Sequence, residues 1–392
     1  MTSWITRFLL ASLLGSFPAF GENPPLVVGA VASTTGAQAA AAEGYRRALL
    51  LWEEQVNAAG GLLGRRVELR LRDDASRAVR ARGEYEKLIA EGSDLLIGPY
   101  GSAATLMGAA VAEREQRVMV NGAGPARTVH KRSPKYLFQS AVPYAAYGEG
   151  VLALAKEQGL ERLFILARDD PRARDMAEAT AEQARRQGFA DPQVVPYPPG
   201  NADFAPQVTA ARAAGAQAWI AFGEAREAAH MVRSFRRLDY APALFFARAA
   251  AEPAFVALLG QDAEFSLGAV EYDARLRTPG NEGFAKAFAA MWGEAPGPAA
   301  AAGYAAATVL EAAVRSAGAL DQEKLRAALG GLDLATVLGP YKVDAANGAQ
   351  VGIRPAVAQI RRGEAAVVWP PALETANPLL PYPQWGERSR LK

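Results

Sequence analysis

Asp94–Leu106 reads DLLIGPYGSAATL. The apolar run Leu95-Leu96-Ile97 stops at Gly98-Pro99, a small polar corner, Gly101-Ser102, follows, and helix-forming residues begin at Ala103. A short apolar run bounded by Gly-Pro is the pattern of a strand covered on both faces, as in a parallel sheet. A polar corner between that strand and a helix leaves the helix's first N–H groups and the positive end of its dipole beyond the strand tip. The stretch therefore predicts an open α/β sheet with a small ligand held past the C-terminal strand ends.

The neighbouring sequence repeats the rhythm. PLVVGAVAS (25–33), RVELRLRDD (66–74) and the opening stretch alternate with helical patterns at 45–58, 78–90 and 103–114. The first helix ends at Gly60-Gly61, residues suited to a C-cap. Alternation of this kind defines βαβ units. A second series starts at Tyr144, with strands RLFILARDD, PQVVPY, QAWIAFG, APALFFA and FSLGAVEYD separated by helices. Helical patterns at 284–292, 303–317 and 321–329 follow, and TVLGPYKVD with RPAVAQIRRGE is predicted to form a hairpin turning at Asn347-Gly348. The late helices have no strands of their own to cover, so the chain is expected to return to the first lobe. Two lobes joined by several crossings make a hinge with a cleft.

Composition narrows the function. The 392 residues, half of them hydrophobic, suffice for two cores. Lys and Arg total 43 against 41 Asp and Glu, and a net charge of +2 provides no field for nucleic acid or an anionic membrane. The absence of cysteine excludes disulfides, thiolate metal sites, Cys nucleophiles and lipid attachment at an N-terminal Cys. His130 and His230, the only histidines, are read as surface or packing residues. Residues 1–21 carry a positive start ending at Arg7, an apolar stretch from Phe8 to Leu14 and small residues at Ala19 and Gly21, the pattern of a secretory signal peptide. The apolar stretch is shorter than the ~20 residues of a membrane span, and no later segment reaches that length. A soluble, exported, periplasmic monomer, not embedded in a membrane, is expected.

Three blocks, NAAGGLLGRRVELRLRDDAS (57–76), LLIGPYGSAAT (95–105) and VLGPYKVDAANG (337–348), resemble the periplasmic leucine/isoleucine/valine-binding proteins, in the type I solute-binding family of ABC importers. The resemblance covers essentially the whole chain after the leader. It implies two doubly wound parallel-sheet lobes joined by three crossovers near Ser140, Val270 and Leu338: residues 22–140 plus 271–337, and 141–270 plus 338–392. It implies closure on one small carboxylate or amino acid and delivery to a membrane permease that has its own ATPase. No cofactor and no metal are expected.

The resemblance also assigns site residues. The corner at Tyr100, Gly101 and Ser102 corresponds to the family's carboxylate anchor, with capping of the following helix as the competing role of Ser102. In VNGAGPARTV the carbonyl that holds the ligand's amine falls at Ala123, and Pro125 stands where the family has a Thr; Asn121, Gly124 and Thr128 are substitutes within the same loop. Arg248 occupies the place of the family's ammonium-binding acid, Arg172 that of a tyrosine, and Glu224 is the acid on offer beside them, with Arg168 nearby. An ammonium facing an unpaired guanidinium is unfavourable by several kcal/mol. The arginines thus point to a carboxylate ligand without a free α-amine, such as an aromatic or dicarboxylic acid, with branched-chain amino acids next; solvated rim residues are the competing account. Tyr144 and Tyr147 are candidates to stack on the ligand, Tyr147 equally a core residue. Thr34 and Thr35 follow the first strand, beside the ligand or simply in a turn.

Rival classes lack signatures. There is no Gly-x-Ser-x-Gly elbow, P-loop, His-Glu-x-x-His or complete dinucleotide fingerprint, so no enzyme is expected. The acid pairs Asp73-Asp74 and Asp169-Asp170 read as solvated turns, because adjacent side chains on a strand point to opposite sides. A periplasmic ligand sensor of the same fold, signalling to a receptor, is the alternative to a transporter subunit.

Overall fold

The computed structural model describes residues 23–388, so the leader reading of 1–21 lies outside the described residues. The chain starts with β1 (Leu26–Ala32), α1 (Ala39–Ala58), β2 (Val67–Asp73), α2 (Ala78–Ala90), β3 (Leu95–Ile97), α3 (Ser102–Arg114), β4 (Met119–Asn121) and β5 (Leu137–Gln139). These five strands form one parallel sheet in the order β2-β1-β3-β4-β5. All seven residues of β1 are buried, as a strand covered on both faces requires.

The second lobe follows with α4 (Glu149–Glu157), β6 (Leu163–Arg168), α5 (Pro171–Arg186), β7 (Val194–Tyr197), α6 (Ala205–Ala213), β8 (Ala218–Phe222), α7 (Ala225–Arg237), β9 (Leu244–Ala247), α8 (Pro253–Leu259) and β10 (Leu267–Val270). Then come α9 (Asn281–Trp292), α10 (Pro298–Ala317), α11 (Gln322–Gly331), β11 (Leu334–Thr336), β12 (Gly339–Tyr341), β13 (Ala356–Arg361) and β14 (Glu364–Trp369). The second sheet runs β14-β13-β10-β9-β8-β6-β7; β6 to β10 are parallel, and β13 and β14 are antiparallel additions.

The chain does return to the first lobe. Ala302, Ala306, Leu310 and Ala313 of α10 are buried in one core with Val28, Ile97, Tyr45 and Trp52. Small residues permit the close approach of α10 to α1, and a Cβ at Gly303 would lie 2.7 Å from the Tyr45 carbonyl oxygen.

Two expectations about the later chain need correction. Tyr341 and Val343 pack in the first lobe's core, so the third passage between lobes comes after Gln350 rather than at Leu338. The burial of Tyr341, whose hydroxyl donates to the Leu329 carbonyl at 3.1 Å, keeps that segment with α11. The single expected hairpin is likewise two structures. β12 pairs with β11, and the loop containing Asn347-Gly348 is closed by a bridge between Val343 and Gln350. β13 pairs with β14 and β10 and so lies inside the second sheet. The tail lies against the second lobe: the Tyr382 N–H donates to the Ala243 carbonyl at 2.7 Å, and the Arg388 guanidinium lies 3.7 Å from the Trp385 ring centre.

Gly303→Val would push two methyl-bearing branches into the α1 backbone, an overpacking worth about 1–3 kcal/mol. Thermal unfolding should show a Tm lowered by several degrees; an unchanged Tm would refute the close packing of α1 on α10.

Candidate functional site

The C-terminal ends of the first sheet face the second lobe across a cavity of about 1270 Å³. The first lobe contributes Ser33, Gln38, Asp74, Tyr100, Ser102 and Arg127, the second Tyr144, Asp170, Arg172 and Asp175, and Asn347–Val351 closes one end.

The corner after β3 is held from below by two buried tyrosines. The Tyr85 hydroxyl donates to the Ile97 carbonyl at 2.6 Å and the Tyr45 hydroxyl to the Gly98 carbonyl at 2.8 Å, so the end of the strand is fixed. Gly101, at φ 93°, adopts a conformation that side chains disfavour and serves as the N-cap of α3. The helix therefore starts at Ser102, one residue earlier than expected. Thr105 is the first residue whose N–H donates within it, to the Gly101 carbonyl at 3.0 Å. The N–H groups of Ser102, Ala103 and Ala104 have no acceptor among the described residues, and all three residues line the cavity. Ser102 is not a cap: its hydroxyl oxygen accepts the Ala126 N–H at 3.2 Å, which leaves its own proton free to donate.

Three first-lobe candidates sit differently from expectation. The Ala123 carbonyl already accepts the Gly101 N–H at 3.0 Å, since Tyr100 and Ala123 extend the strand pairing by one bridge. Gly124 is buried under α3 and tied by both backbone groups to the Asn121 side chain, at 2.7 and 2.8 Å; a Cβ there would meet the Thr105 hydroxyl at 2.3 Å. Thr35 donates its hydroxyl to Asp73 at 2.6 Å and lies outside the cavity lining. Burial raises the Asp73 pKa, but hydrogen bonds from Thr35, Ala75 and Thr34 outweigh it and hold the carboxyl at about 2. Thr35 is thus a turn residue. Its place in the cavity is taken by Ser33, Gln38 and Asp74.

On the second lobe, Tyr144 and Arg172 line the cavity, with the Arg172 guanidinium 6.0 Å above the Tyr144 ring. Arg172 forms no ion pair among the described residues, and its Nε is buried without a hydrogen-bond partner. Tyr147 is buried and donates its hydroxyl to Glu271 at 2.8 Å, so it supports the hinge instead of stacking on a ligand. Burial first, then the Glu271 charge, pushes the Tyr100 and Tyr147 hydroxyls up, and burial does the same for Tyr144. All three are therefore hydrogen-bond donors at neutral pH.

Arg248 does not face the cavity as a free cation. It pairs with Glu252 at 2.8 Å and with Glu224 at 3.5 Å, and donates to the Gly223 carbonyl at 3.2 Å. Its side chain is only 11% exposed, and a buried guanidinium of this kind needs such partners. Glu224 has a second task as the N-cap of α7, in a capping box with Glu227. Arg168 is paired with Asp170 and Glu227, both at 3.2 Å. Neither Glu224 nor Arg248 lines the cavity, although both charges reach it: Glu224 acts on Arg172, and Arg248 on Tyr144.

Sequence reasoning missed Glu271, the residue directly after the expected crossing at Val270, and Arg127. Arg127, on the first lobe, reaches α5 of the second. Its backbone N–H donates to Asp175 at 2.9 Å, its side chain pairs with Asp175, and Glu182 and Glu178 lie at 2.9 and 3.4 Å. The spacing Asp175-Glu178-Glu182, one face of a helix, was the available signal. Among the described residues there is no cluster of potential metal ligands, and no helix is long and apolar enough to cross a membrane.

The fold and site together define a two-lobed binding protein, and sequence comparison agrees. Residues 25–364 match the family model described as periplasmic binding protein, so the chain belongs to this family of solute-binding, non-enzymatic proteins. An amino acid binding protein of Pseudomonas aeruginosa is 26% identical over 219 residues, 54% of this chain and 57% of the relative, so the match spans little more than half of that protein. A structure from Rhodospirillum rubrum described as a branched-chain amino acid ABC transporter superposes with a TM-score of 0.79 at 23% identity, covering 88% of this chain and 99% of its own. A solute-binding protein of an ABC transporter from R. palustris, in complex with benzoate, gives a TM-score of 0.66 at 19% identity, covering 88% and 95%.

The Arg127 cluster spans the cleft and exists only while the lobes are close. Arg127→Ala should weaken ligand binding about tenfold, the scale of one charge-assisted interaction. The difference from the unmodified protein should shrink at high ionic strength. Titration calorimetry with equal affinities at low salt would refute the interlobe role.

Proposed function

We propose that the chain is the soluble periplasmic subunit of an ABC importer, a monomer that closes on one small organic acid or amino acid and presents it to a membrane permease. The observation that carries this reading is the pairing, across one cavity, of the unpaired N–H groups at Ser102–Ala104 with Tyr144 and Arg172 of the other lobe. A carboxylate is the group that such a corner recognises: it accepts several hydrogen bonds at once and carries the charge that a helix N-terminus favours. Contacts to both lobes exist together only in the closed form, so ligand binding shifts the population from open to closed. The relatives described as amino acid binding, branched-chain amino acid transporting and benzoate-bound support ligands of this size and charge.

Small-angle scattering tests the clamp. With a saturating carboxylate ligand, drawn from leucine, benzoate and succinate, the radius of gyration should fall, and Ser102→Ala should weaken that ligand about tenfold. A radius unchanged by every ligand that binds, or full affinity in Ser102→Ala, would rule the reading out.

A further inference from the structure

The charges around the cleft can be accounted for one by one. Asp74 accepts the Ser33 hydroxyl at 2.7 Å and the Ser76 N–H at 2.9 Å. Asp170 caps α5, accepting the N–H groups of Arg172 and Ala173 at 2.9 and 3.0 Å, and pairs with Arg168. Asp175 and Glu178 are held by Arg127, Glu224 and Glu252 by Arg248, and Glu271 by the Tyr147 hydroxyl. Every one of these carboxylates has a partner inside the protein. Among the described residues that line the cavity, the groups without a protein partner include three N–H groups at the start of α3, the Arg172 Nε, the buried His130 Nε2 and the Lys131 ammonium, so donors outnumber acceptors and no carboxylate is among them.

An α-ammonium would thus find no vacant acid in the cleft. Glu271, outside the cavity lining, already acts together with Glu224 on Arg172, so a second cation placed beside it would stand against a buried guanidinium. An anion, by contrast, meets demand on both lobes. The Ser102, Ala103 and Ala104 N–H groups and the Ser102 hydroxyl supply four donors, enough for the roughly four lone-pair sites of one carboxylate. Arg172 is then left with a planar fork that suits another. The Arg172 guanidinium lies over the Tyr144 ring at 6.0 Å, where it competes with an aromatic ligand for that face.

On the reading that this cleft is the ligand site, we propose that its ligand is a dicarboxylic acid without an ammonium group, one carboxylate seated at Ser102–Ala104 and the other on Arg172. Arg172 then sets specificity from the second lobe, and the two anionic ends tie closure to ligand binding.

Titration calorimetry of the unmodified protein, Arg172→Gln, Arg172→Lys and Ser102→Ala against succinate, glutarate, butyrate, benzoate and leucine tests this. At least one dicarboxylate should bind about tenfold or more tighter than butyrate and leucine, and Arg172→Gln should collapse that ratio, with Arg172→Lys retaining part of it. Circular dichroism confirms that the variants fold, and the lysine variant keeps the test open should Arg172→Gln not fold. Leucine or benzoate binding tighter than both dicarboxylates, or a ratio unchanged in the Arg172 variants, would overturn the proposal. If Ser102→Ala still weakens every ligand in that case, the cleft remains the site and only the ligand class falls. Absence of binding by any of the five acids would overturn the site as well.

Discussion

Three backbone N–H groups at the start of α3 have no acceptor among the described residues. They are exposed there because β3 ends at a fixed point: Tyr85 and Tyr45 take the carbonyls of Ile97 and Gly98, and Gly101 turns the chain with a positive φ. Any side chain at Gly101 would be strained in that conformation. The open parallel sheet aims this turn at the cavity between the lobes. The proposed binding chemistry begins from that geometry.

The rest of the cleft is arranged so that its charges do not compete with the corner. Arg248, Arg168 and Arg127 are each bound to acids of the protein, whereas Arg172 on the second lobe and the exposed Lys131 on the first form no ion pair among the described residues. A cleft whose internal pairs are complete discriminates by what it leaves unmade, because an unmatched buried donor has a cost that only the right ligand removes. Closure follows the same logic. The interlobe pairs of Arg127 favour the closed form modestly, and a ligand held as proposed would add contacts to both halves.

Much of the architecture was legible in the sequence. The strand-helix alternation gave both sheets, and the unpartnered late helices correctly implied the return of α10 to α1. The third passage and the last hairpin were misread because Tyr341 and Val343 look like strand residues of either lobe, and only packing against α11 and the first core decides between them. Among the candidate site residues, Ser102, Tyr100, Tyr144 and Arg172 line the cavity, as positions at strand ends should. The surroundings of Arg248, Glu224, Thr35 and Gly124 were not legible, because each side chain or backbone group is claimed by a partner distant in the fold or hidden under a helix. A sequence records that an arginine is present, but whether its charge is spent depends on which acids fold beside it. Glu271 and Arg127 escaped notice for the same reason, as their partners lie 124 and 48 residues away.

A crystal structure of the ligand-loaded protein tests the central claim most directly. Ligand carboxylate oxygens are expected within hydrogen-bonding distance of the Ser102–Ala104 N–H groups, with an anionic group on the Arg172 guanidinium. A ligand bound elsewhere, or one presenting an ammonium to Arg172 while the helix N–H groups bind only water, would contradict it.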